Sequence, residues 1–288
     1  MSDPDQDPFR FPSPGLKGLD GKTAIVTGST RGIGRGIAQR YAVEGMNVVV
    51  TGRSVDDGEQ VAQEIRDEGY EATYVRADMA DPDDIEALVT KTVTEYGRID
   101  VIVNNAAAWR HGSAADRSLE DWELVMNVSL RAPWYLPMVA LEHISDRGSI
   151  INISSVHSRA TDPVRFPYNV AKSGLNGLTR VQAIDLAPHG VRANGLVVGN
   201  VRKDYGDADP YDESHYYARL VPAGRRGTPL DVAGIALFLA SDEAEFITGT
   251  NIPVDGGRLA CAAKGDWPPD KETTEDAAHT YYDRIPDS

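Results

Sequence analysis

The stretch TAIVTGSTRGIGRGIAQRYAVEG, residues 23–45, decides the fold. It begins with an unbroken apolar and β-branched run, passes through a glycine-rich loop, and ends with helical spacing of apolar residues. Unbroken runs of this kind predict strands that are buried on both faces of a parallel sheet. Glycines allow positive φ, and the N-terminus of the following helix stabilises an anion. The stretch therefore predicts a strand, loop and helix that hold a dinucleotide pyrophosphate, with a tight turn without ligand as the alternative.

The same alternation continues along the chain. Further short apolar runs lie at residues 47–51, 72–75, 101–103, 149–153, 192–197 and 251–254. Amphipathic segments such as 34–44 and 83–96 separate them and are long enough to be crossover helices. This pattern predicts an α/β fold in a single domain, a doubly wound, Rossmann-type parallel sheet with helices on both faces.

Three segments lack this alternation. Residues 1–20 are acidic and proline-rich, which predicts a flexible leader before a catalytic domain of residues 21–258. Within that domain, residues 200–226 predict a polar substrate loop or lid. Residues 259–288 form an acidic C-terminal extension, for which packing on a neighbouring subunit, packing at the edge of the active-site cleft and disorder are all open.

Composition excludes several classes of function. With 29 basic and 44 acidic residues, the net charge of −15 disfavours nucleic acid and anionic membranes as partners. The sequence contains no apolar run of about 18 residues, so no membrane span is expected. Its N-terminus lacks the apolar region of a secretory signal. Cys261 is the only cysteine, so neither an intrachain disulfide nor a cysteine-based metal site is expected. These features predict a cytoplasmic protein that acts on a small molecule without a metal.

The end of the second predicted strand bears on the choice of dinucleotide. Sites for NAD usually place a carboxylate there to bind the ribose 2′-hydroxyl, but this strand ends in Thr51-Gly52-Arg53. Arg53 and Arg31 could together hold a 2′-phosphate. Asp57 comes too late, because Ser54 is positioned as the N-cap of the next helix. NADP(H) is therefore favoured, with NAD(H) as the alternative.

A second informative pair lies downstream. Tyr168 and Lys172 are four residues apart and share one face of a helix. An ammonium group beside a phenol lowers a pKa that is ordinarily about 10. The pair therefore predicts a proton donor or acceptor that works near neutral pH.

Together these residues resemble the short-chain dehydrogenase/reductase family over roughly residues 18–258. The family's glycine motif is matched at Thr27, Gly28, Gly32 and Gly34. Further matches are Asp78 with Met79, Asn104-Asn105-Ala106-Ala107, Asn127, Ser155, Tyr168 with Lys172, Ile247-Thr248-Gly249 and Val254-Asp255-Gly256-Gly257. Two positions depart from the family pattern: Ala107 replaces a glycine, and Val198-Gly199 replaces a Pro-Gly pair.

The resemblance implies a catalytic tetrad of Asn127, Ser155, Tyr168 and Lys172, with hydride transfer between a nicotinamide and a carbonyl or carbinol carbon. Tyr168 would exchange a proton with the substrate oxygen, Ser155 would bind that oxygen, and Lys172 would lower the pKa of Tyr168. Asn127 would hold a water that links Lys172 to solvent. The cofactor contacts it implies are Gly28, Ser29, Arg31, Gly32, Ile33, Gly34, Arg53, Asp78, Met79, Asn105, Ala106, Lys172 and Gly199. It also implies a homo-oligomer, a tetramer or dimer, formed through helices around residues 116–136 and 166–187.

The substrate is less well defined by the sequence. His157 follows Ser155 closely and could reach the substrate, although a solvated loop histidine is equally compatible. The short stretch around His157 and Phe166 is similar to that of glucose-dehydrogenase members of the family, which favours a small polar or polyol-type substrate. The alternatives are a 3-oxoacyl-thioester reductase of the same family and a non-catalytic NAD(P)-binding regulatory protein. An acidic carrier protein as substrate would require a basic rim around the site.

Overall fold

The computed structural model describes residues 18–110, 112–202 and 221–261. Nearly all of the predicted leader, most of the loop at 200–226 and most of the C-terminal extension lie outside these residues. Their proposed limits and roles therefore stay predictions.

The described part of the chain contains one seven-stranded parallel sheet. Its strands are β1 (Thr23–Thr27), β2 (Asn47–Gly52), β3 (Ala72–Arg76), β4 (Ile99–Asn104), β5 (Ile144–Ser155), β6 (Arg192–Val198) and β7 (Asn251–Val254). They are arranged in the order β3-β2-β1-β4-β5-β6-β7. The winding direction reverses between β1 and β4, which opens a crevice at the carboxyl ends of these strands. The predicted doubly wound parallel sheet is confirmed.

Helices cover both faces of the sheet. They are α1 (Gly32–Val43), α2 (Val55–Asp67), α3 (Pro82–Tyr96), α4 (Leu119–Met126), α5 (Ala132–Ala140), α6 (Tyr168–Asp185) and α7 (Pro229–Ala240), and a π-helical turn, Asn127–Arg131, joins α4 to α5. The hydroxyl of Ser54 accepts the Asp57 N–H at 3.4 Å, so Ser54 caps α2 as predicted. At α7, Thr228 and Asp231 form a reciprocal capping box.

The core has two layers because side chains of a strand alternate between the faces of the sheet. On β1, Ala24 and Val26 pack into the layer formed with α1, α2 and α7. The intervening Ile25 packs into the opposite layer, with α3 and α5. Within the described ranges, no helix is long and apolar enough to cross a membrane.

Candidate active site

The glycine loop between β1 and α1 forms a cradle at the crevice. Gly28 has φ +64°, and a Cβ on it would lie 3.0 Å from the Cα of Ala106. A Cβ on Gly34 would lie 2.4 Å from the carbonyl oxygen of Gly28, so the loop packs tightly on the start of α1. Gly32 has φ +56°, yet a Cβ there would meet no atom within 4 Å. The loop is thus close-packed against the protein at Gly28 and Gly34 and open at Gly32, which fits a bound pyrophosphate.

Side chains from β1 and β4 hold this loop in shape. The hydroxyl of Thr27 donates to the carbonyl of Val103 at 3.1 Å and accepts the N–H groups of Asn105 and Ala106 at 2.9 and 3.0 Å. The Asn105 amide donates to the carbonyls of Thr27 and Gly28 at 2.8 and 3.0 Å. Asn105 therefore fixes the loop itself, and its side-chain amide is already engaged there.

Two of the predicted cofactor residues point their side chains into the protein. Ser29 is fully buried, where its hydroxyl donates to the Val26 carbonyl at 2.7 Å and accepts the Thr51 N–H at 3.0 Å. Met79 is buried in the core layer beneath α3. Contacts of these two residues to a cofactor would therefore come from the backbone.

The residues predicted to hold a 2′-phosphate lie at the same edge of the sheet. Arg31 is the exposed N-cap residue of α1. The Arg53 side chain, 71% exposed, follows β2, and its guanidinium lies 3.9 Å from the carboxylate of Asp78. Asp78 follows β3 and also accepts the Ala80 N–H at 2.9 Å. Both arginines are accessible to an anionic ligand.

Two further predicted cofactor residues, Ile33 and Gly199, pack against neighbouring parts of the protein. Ile33, in the first turn of α1, is partly buried against the core layer of that helix. Gly199 follows β6 and donates its N–H to the Val254 carbonyl at 3.0 Å. A Cβ on Gly199 would lie 2.8 Å from the Cα of Asp255, so the chain after β7 requires glycine there.

Ser155, Tyr168 and Lys172 come together at the carboxyl end of β5. Tyr168 begins α6, is 9% exposed, and is hydrogen-bonded to Ser155 at the end of β5. Lys172, 2% exposed, lies one helical turn later, and its Nζ is 5.6 Å from the centre of the Tyr168 ring. This Nζ donates to the carbonyl of Ile153 at 2.6 Å.

Burial has the largest effect on the pKa values of Tyr168 and Lys172. Burial raises the pKa of Tyr168 to about 12, while a hydrogen bond from Ser155 and the charge of Arg165 lower it. Burial also lowers the pKa of Lys172 to about 7, so the free-energy cost of desolvation weakens its charge at neutral pH. In this structure, then, the groups that lower the pKa of Tyr168 are Ser155 and Arg165. That Lys172 also lowers this pKa stays a prediction.

The fourth predicted member, Asn127, starts the π-helical turn after α4. It lines a groove with Trp134 and Leu178, the latter on α6. Nearby Val125 packs against Tyr168. Single π-helical turns inside helices are frequent at functional sites. The structure thus brings the Asn127 turn against α6, and its catalytic role stays a prediction.

Two aromatic side chains and a cation complete the wall around Tyr168. The Trp109 ring lies 4.3 Å from the Tyr168 ring, and the His157 ring lies 6.4 Å from it. The guanidinium carbon of Arg165 is 5.2 Å from the centre of the Trp109 indole. Sequence reasoning found His157 but missed Trp109 and Arg165. The available signals were the position of Trp109 after β4, at the catalytic edge of the sheet, and the proximity of Arg165 to Tyr168 in sequence.

A glycine cradle at the switch point of a parallel sheet, beside a contacting Ser–Tyr pair and a buried lysine, defines the class of Rossmann-type oxidoreductases. Residues 28–258 match a family model described as enoyl-(acyl carrier protein) reductase. The chain belongs to the short-chain dehydrogenase/reductase family.

Several relatives are similar over most of the chain. A 3β-hydroxysteroid dehydrogenase 1 from Eggerthella lenta is 36% identical and is matched over 83% of this chain and 94% of its own length. A glucose 1-dehydrogenase 2 from Bacillus subtilis is 36% identical, over 84% of this chain and 96% of its own. Among solved structures, a gluconate 5-dehydrogenase from Burkholderia cenocepacia J2315 in complex with NADP and tartrate is 32% identical. It superimposes with a TM-score of 0.78 over 84% of this chain and 97% of that one.

Proposed function

We propose that this protein is an NADP(H)-dependent oxidoreductase that interconverts a carbonyl and a secondary alcohol on a small, hydroxyl-bearing substrate. The observation that carries this proposal is the contact between Ser155 and Tyr168, one helical turn from Lys172 and at the same sheet edge as the glycine cradle. Family membership supports an oxidoreductase, while the cofactor and the substrate class are argued from this chain's own residues.

A nicotinamide, when bound, supplies or accepts the hydride. Tyr168 holds the proton that the substrate oxygen needs during reduction, because its raised pKa keeps the phenol protonated at neutral pH. Ser155 donates a hydrogen bond where negative charge grows on that oxygen. Lys172 lies one helical turn after Tyr168, in a buried position from which it could hold the ribose of the cofactor. Asn127, at the π-helical turn, is proposed to connect this lysine to solvent.

The preference for NADP(H) is supported by charge at the end of β2. Arg53 takes the position at which NAD sites usually carry a carboxylate, and Arg31 is exposed on the neighbouring loop. Guanidinium groups bind phosphate through a planar set of donors. The solved gluconate 5-dehydrogenase contains NADP. Asp78, 3.9 Å from Arg53, opposes this preference by neutralising part of its charge.

The preference for a polar substrate is supported by the wall around Tyr168. His157 and Arg165 place polar groups on it, and beside them the indole of Trp109, 39% exposed, is an aromatic surface of the kind on which a sugar ring stacks. The glucose and gluconate dehydrogenases among the relatives agree with this chemistry. The steroid dehydrogenase among them does not. An apolar ketone is therefore the principal competing substrate class.

Oligomerisation is proposed through the exposed face of α5 and α6. Trp134 and Met138 on α5, and Val181 and Ile184 on α6, are apolar side chains that are each 45–73% exposed. A surface of this kind is favourable when a second copy covers it. A homodimer or tetramer in the cytoplasm, with neither nucleic acid nor membrane as a partner, is the state we propose.

One panel tests the function. Purified protein is assayed for hydride transfer with NADPH, NADH and their oxidised forms against sugars, sugar acids, polyols and apolar ketones, while light scattering gives its mass. We expect turnover with NADP(H) and hydroxyl-bearing compounds, and an oligomeric mass. Activity confined to long apolar ketones would reject the substrate class, and a protein that binds NADPH without any turnover would be a regulatory protein.

A further inference from the structure

We infer that Arg165 binds an anionic group of the substrate, and that the substrate is a hydroxyl-bearing carboxylate rather than a neutral polyol. This inference rests on the proposed oxidoreductase function and adds the charge of its substrate.

The first support is the position of the guanidinium. Its carbon lies 5.2 Å from the centre of the Trp109 indole, and the same indole lies 4.3 Å from the ring of Tyr168. One aromatic ring therefore contacts both the cation and the phenol that exchanges the proton. A short polyhydroxy acid lying along this indole would reach Tyr168 with its reacting carbon and Arg165 with its carboxylate. The planar fork of a guanidinium matches both oxygens of such a group.

The second support is the effect of the Arg165 charge on the pKa values of neighbouring side chains. The pKa values of Tyr168 and His157 are both shifted, and burial is the largest cause: it raises the pKa of Tyr168 and lowers that of His157. The charge of Arg165 lowers the pKa of each. Arg165 therefore acts electrostatically on two side chains of the site, and an anion bound to it would lie beside the reacting oxygen.

The third support is that the backbone holds Arg165 in place. The N–H of Gly112 donates to the Val164 carbonyl at 3.2 Å, and the N–H of Phe166 donates to the Gly112 carbonyl at 3.2 Å. These bonds connect the chain on both sides of Arg165 to the loop after β4. The Phe166 ring also stacks on Trp122, with ring centres 5.5 Å apart. A cation fixed in this way loses less conformational entropy on binding a ligand than a free surface arginine does.

Backbone strain next to Arg165 agrees with a functional position. Val164 has φ +56°, which β-branched residues rarely adopt. Such strain persists only where the surrounding structure enforces it, and it is concentrated at ligand-binding and active sites.

The test compares matched acids and alcohols as substrates. Threonate, xylonate and gluconate, their alditols, and glucose 6-phosphate are assayed with NADP⁺ for wild type, R165Q, R165K and R147Q. Arg147 lies at the amino end of β5 and pairs with Glu245 at 3.1 Å, so R147Q removes the same charge away from the site. NADPH fluorescence, measured for every variant, reports whether the fold and the cofactor site are intact.

We expect wild type to prefer an aldonate over its alditol, and R165Q to lower kcat/KM about 10²-fold more for the aldonate than for the alditol, since any effect that passes through Tyr168 is common to both substrates. R165K should retain part of the preference for the aldonate, since it keeps the charge but loses the planar fork of donors, and R147Q should retain all of it.

Equal losses on acid and alditol in R165Q would overturn the inference, because Arg165 would then act on Tyr168 alone. A preference for glucose 6-phosphate that depends on Arg165 would overturn the inference that the anionic group of the substrate is a carboxylate, and would indicate a phosphate instead. Turnover of alditols without aldonates overturns the inference and leaves the oxidoreductase proposal intact, whereas no turnover with any compound overturns both.

Discussion

The side-chain amide of Gln182 on α6 donates to the carbonyl oxygen of Pro133 on α5 at 2.8 Å. This carbonyl needs a donor from outside its helix, because the residue one turn later is Pro137, which has no N–H. Gln182 in turn accepts the Asn152 amide at 2.8 Å, and Asn152 accepts the Asn104 amide at 2.9 Å. The chain of amides joins β4 and β5 to α5 and α6. It thereby fixes the helix that carries Tyr168 against the strand that carries Ser155.

Replacing Gln182 by leucine should destabilise the fold by about 1–3 kcal/mol, because it removes two buried hydrogen bonds. Asn104 still donates to the Pro133 carbonyl at 3.3 Å, and Thr179 still accepts the Asn152 amide at 3.0 Å. Urea unfolding of wild type and Q182L measures this loss. The matched background is Pro137→Ala, which restores the helical N–H to the Pro133 carbonyl. We expect Q182L to cost less free energy of unfolding in P137A than in wild type. Equal costs in both backgrounds would show that the carbonyl of Pro133 is not the group that Gln182 stabilises.

Removing the Tyr168 hydroxyl should abolish turnover without disturbing the fold. Y168F keeps the aromatic contact with Trp109 but removes the proton donor, and general acid–base catalysis by one group contributes about 10²–10⁴-fold. The measurement is kcat/KM with the best substrate, together with NADPH affinity, which should be unchanged. The control is Y96F, because burial also raises the pKa of Tyr96 to about 12 on distant α3. A Y168F enzyme with most of the wild-type rate would remove Tyr168 from the mechanism.

The sheet was predictable because its inner strands are largely apolar runs buried on both faces, although the outer strands β3 and β7 are only partly buried. The predicted and observed strands differ only at their ends. β5 begins at Ile144 rather than at 149, since the pairing with β4 shifts register between Ile99 and Val101 and the first residues of β5 are more exposed. β4 begins at Ile99 rather than at 101, because the intervening Asp100 is polar yet buried, accepting the Thr23 N–H at 2.9 Å.

The candidate site contains residues that the sequence indicated and residues that it did not. Tyr168 and Lys172 were predictable because their i, i+4 spacing places them on one face of a helix, whereas Ser155 was predicted from the resemblance to the short-chain dehydrogenase/reductase family. Trp109 and Arg165 meet only through the backbone pairing between Gly112 and the segment before α6, which no local pattern in the sequence indicates. The pKa values were not predictable either, since they depend on burial more than on the i, i+4 spacing.

Arg53 should determine much of the cofactor preference. R53Q removes the charge proposed to pair with a 2′-phosphate, and a charge-assisted hydrogen bond of this kind is worth about 1.5–3 kcal/mol. We expect kcat/KM with NADPH to fall about 10- to 100-fold while the value with NADH changes little. R76Q is the matched control, since Arg76 ends the neighbouring strand and pairs with Asp84 at 2.6 Å. Equal losses with both cofactors would mean that Arg53 contributes to folding or general binding instead of to recognition of the phosphate.

The buried ammonium of Lys172 should make stability depend on pH. Its pKa is about 7 in the folded protein, below the ordinary value of 10.5, because burial penalises the charged form. Between these two values the unfolded chain binds a proton that the folded protein does not, so the free energy of unfolding rises as pH rises through this window.

The isosteric variant K172M lacks this group, and so should lack this contribution. We expect wild type to gain stability relative to K172M by roughly 1 kcal/mol per pH unit between pH 7 and 10.5, and to show a constant difference below pH 7. Urea unfolding across this range measures the difference, with K91M as the control because Lys91 is exposed on α3. Parallel pH profiles for wild type and K172M would mean that the folded protein keeps this lysine charged, and that its pKa is not lowered by burial.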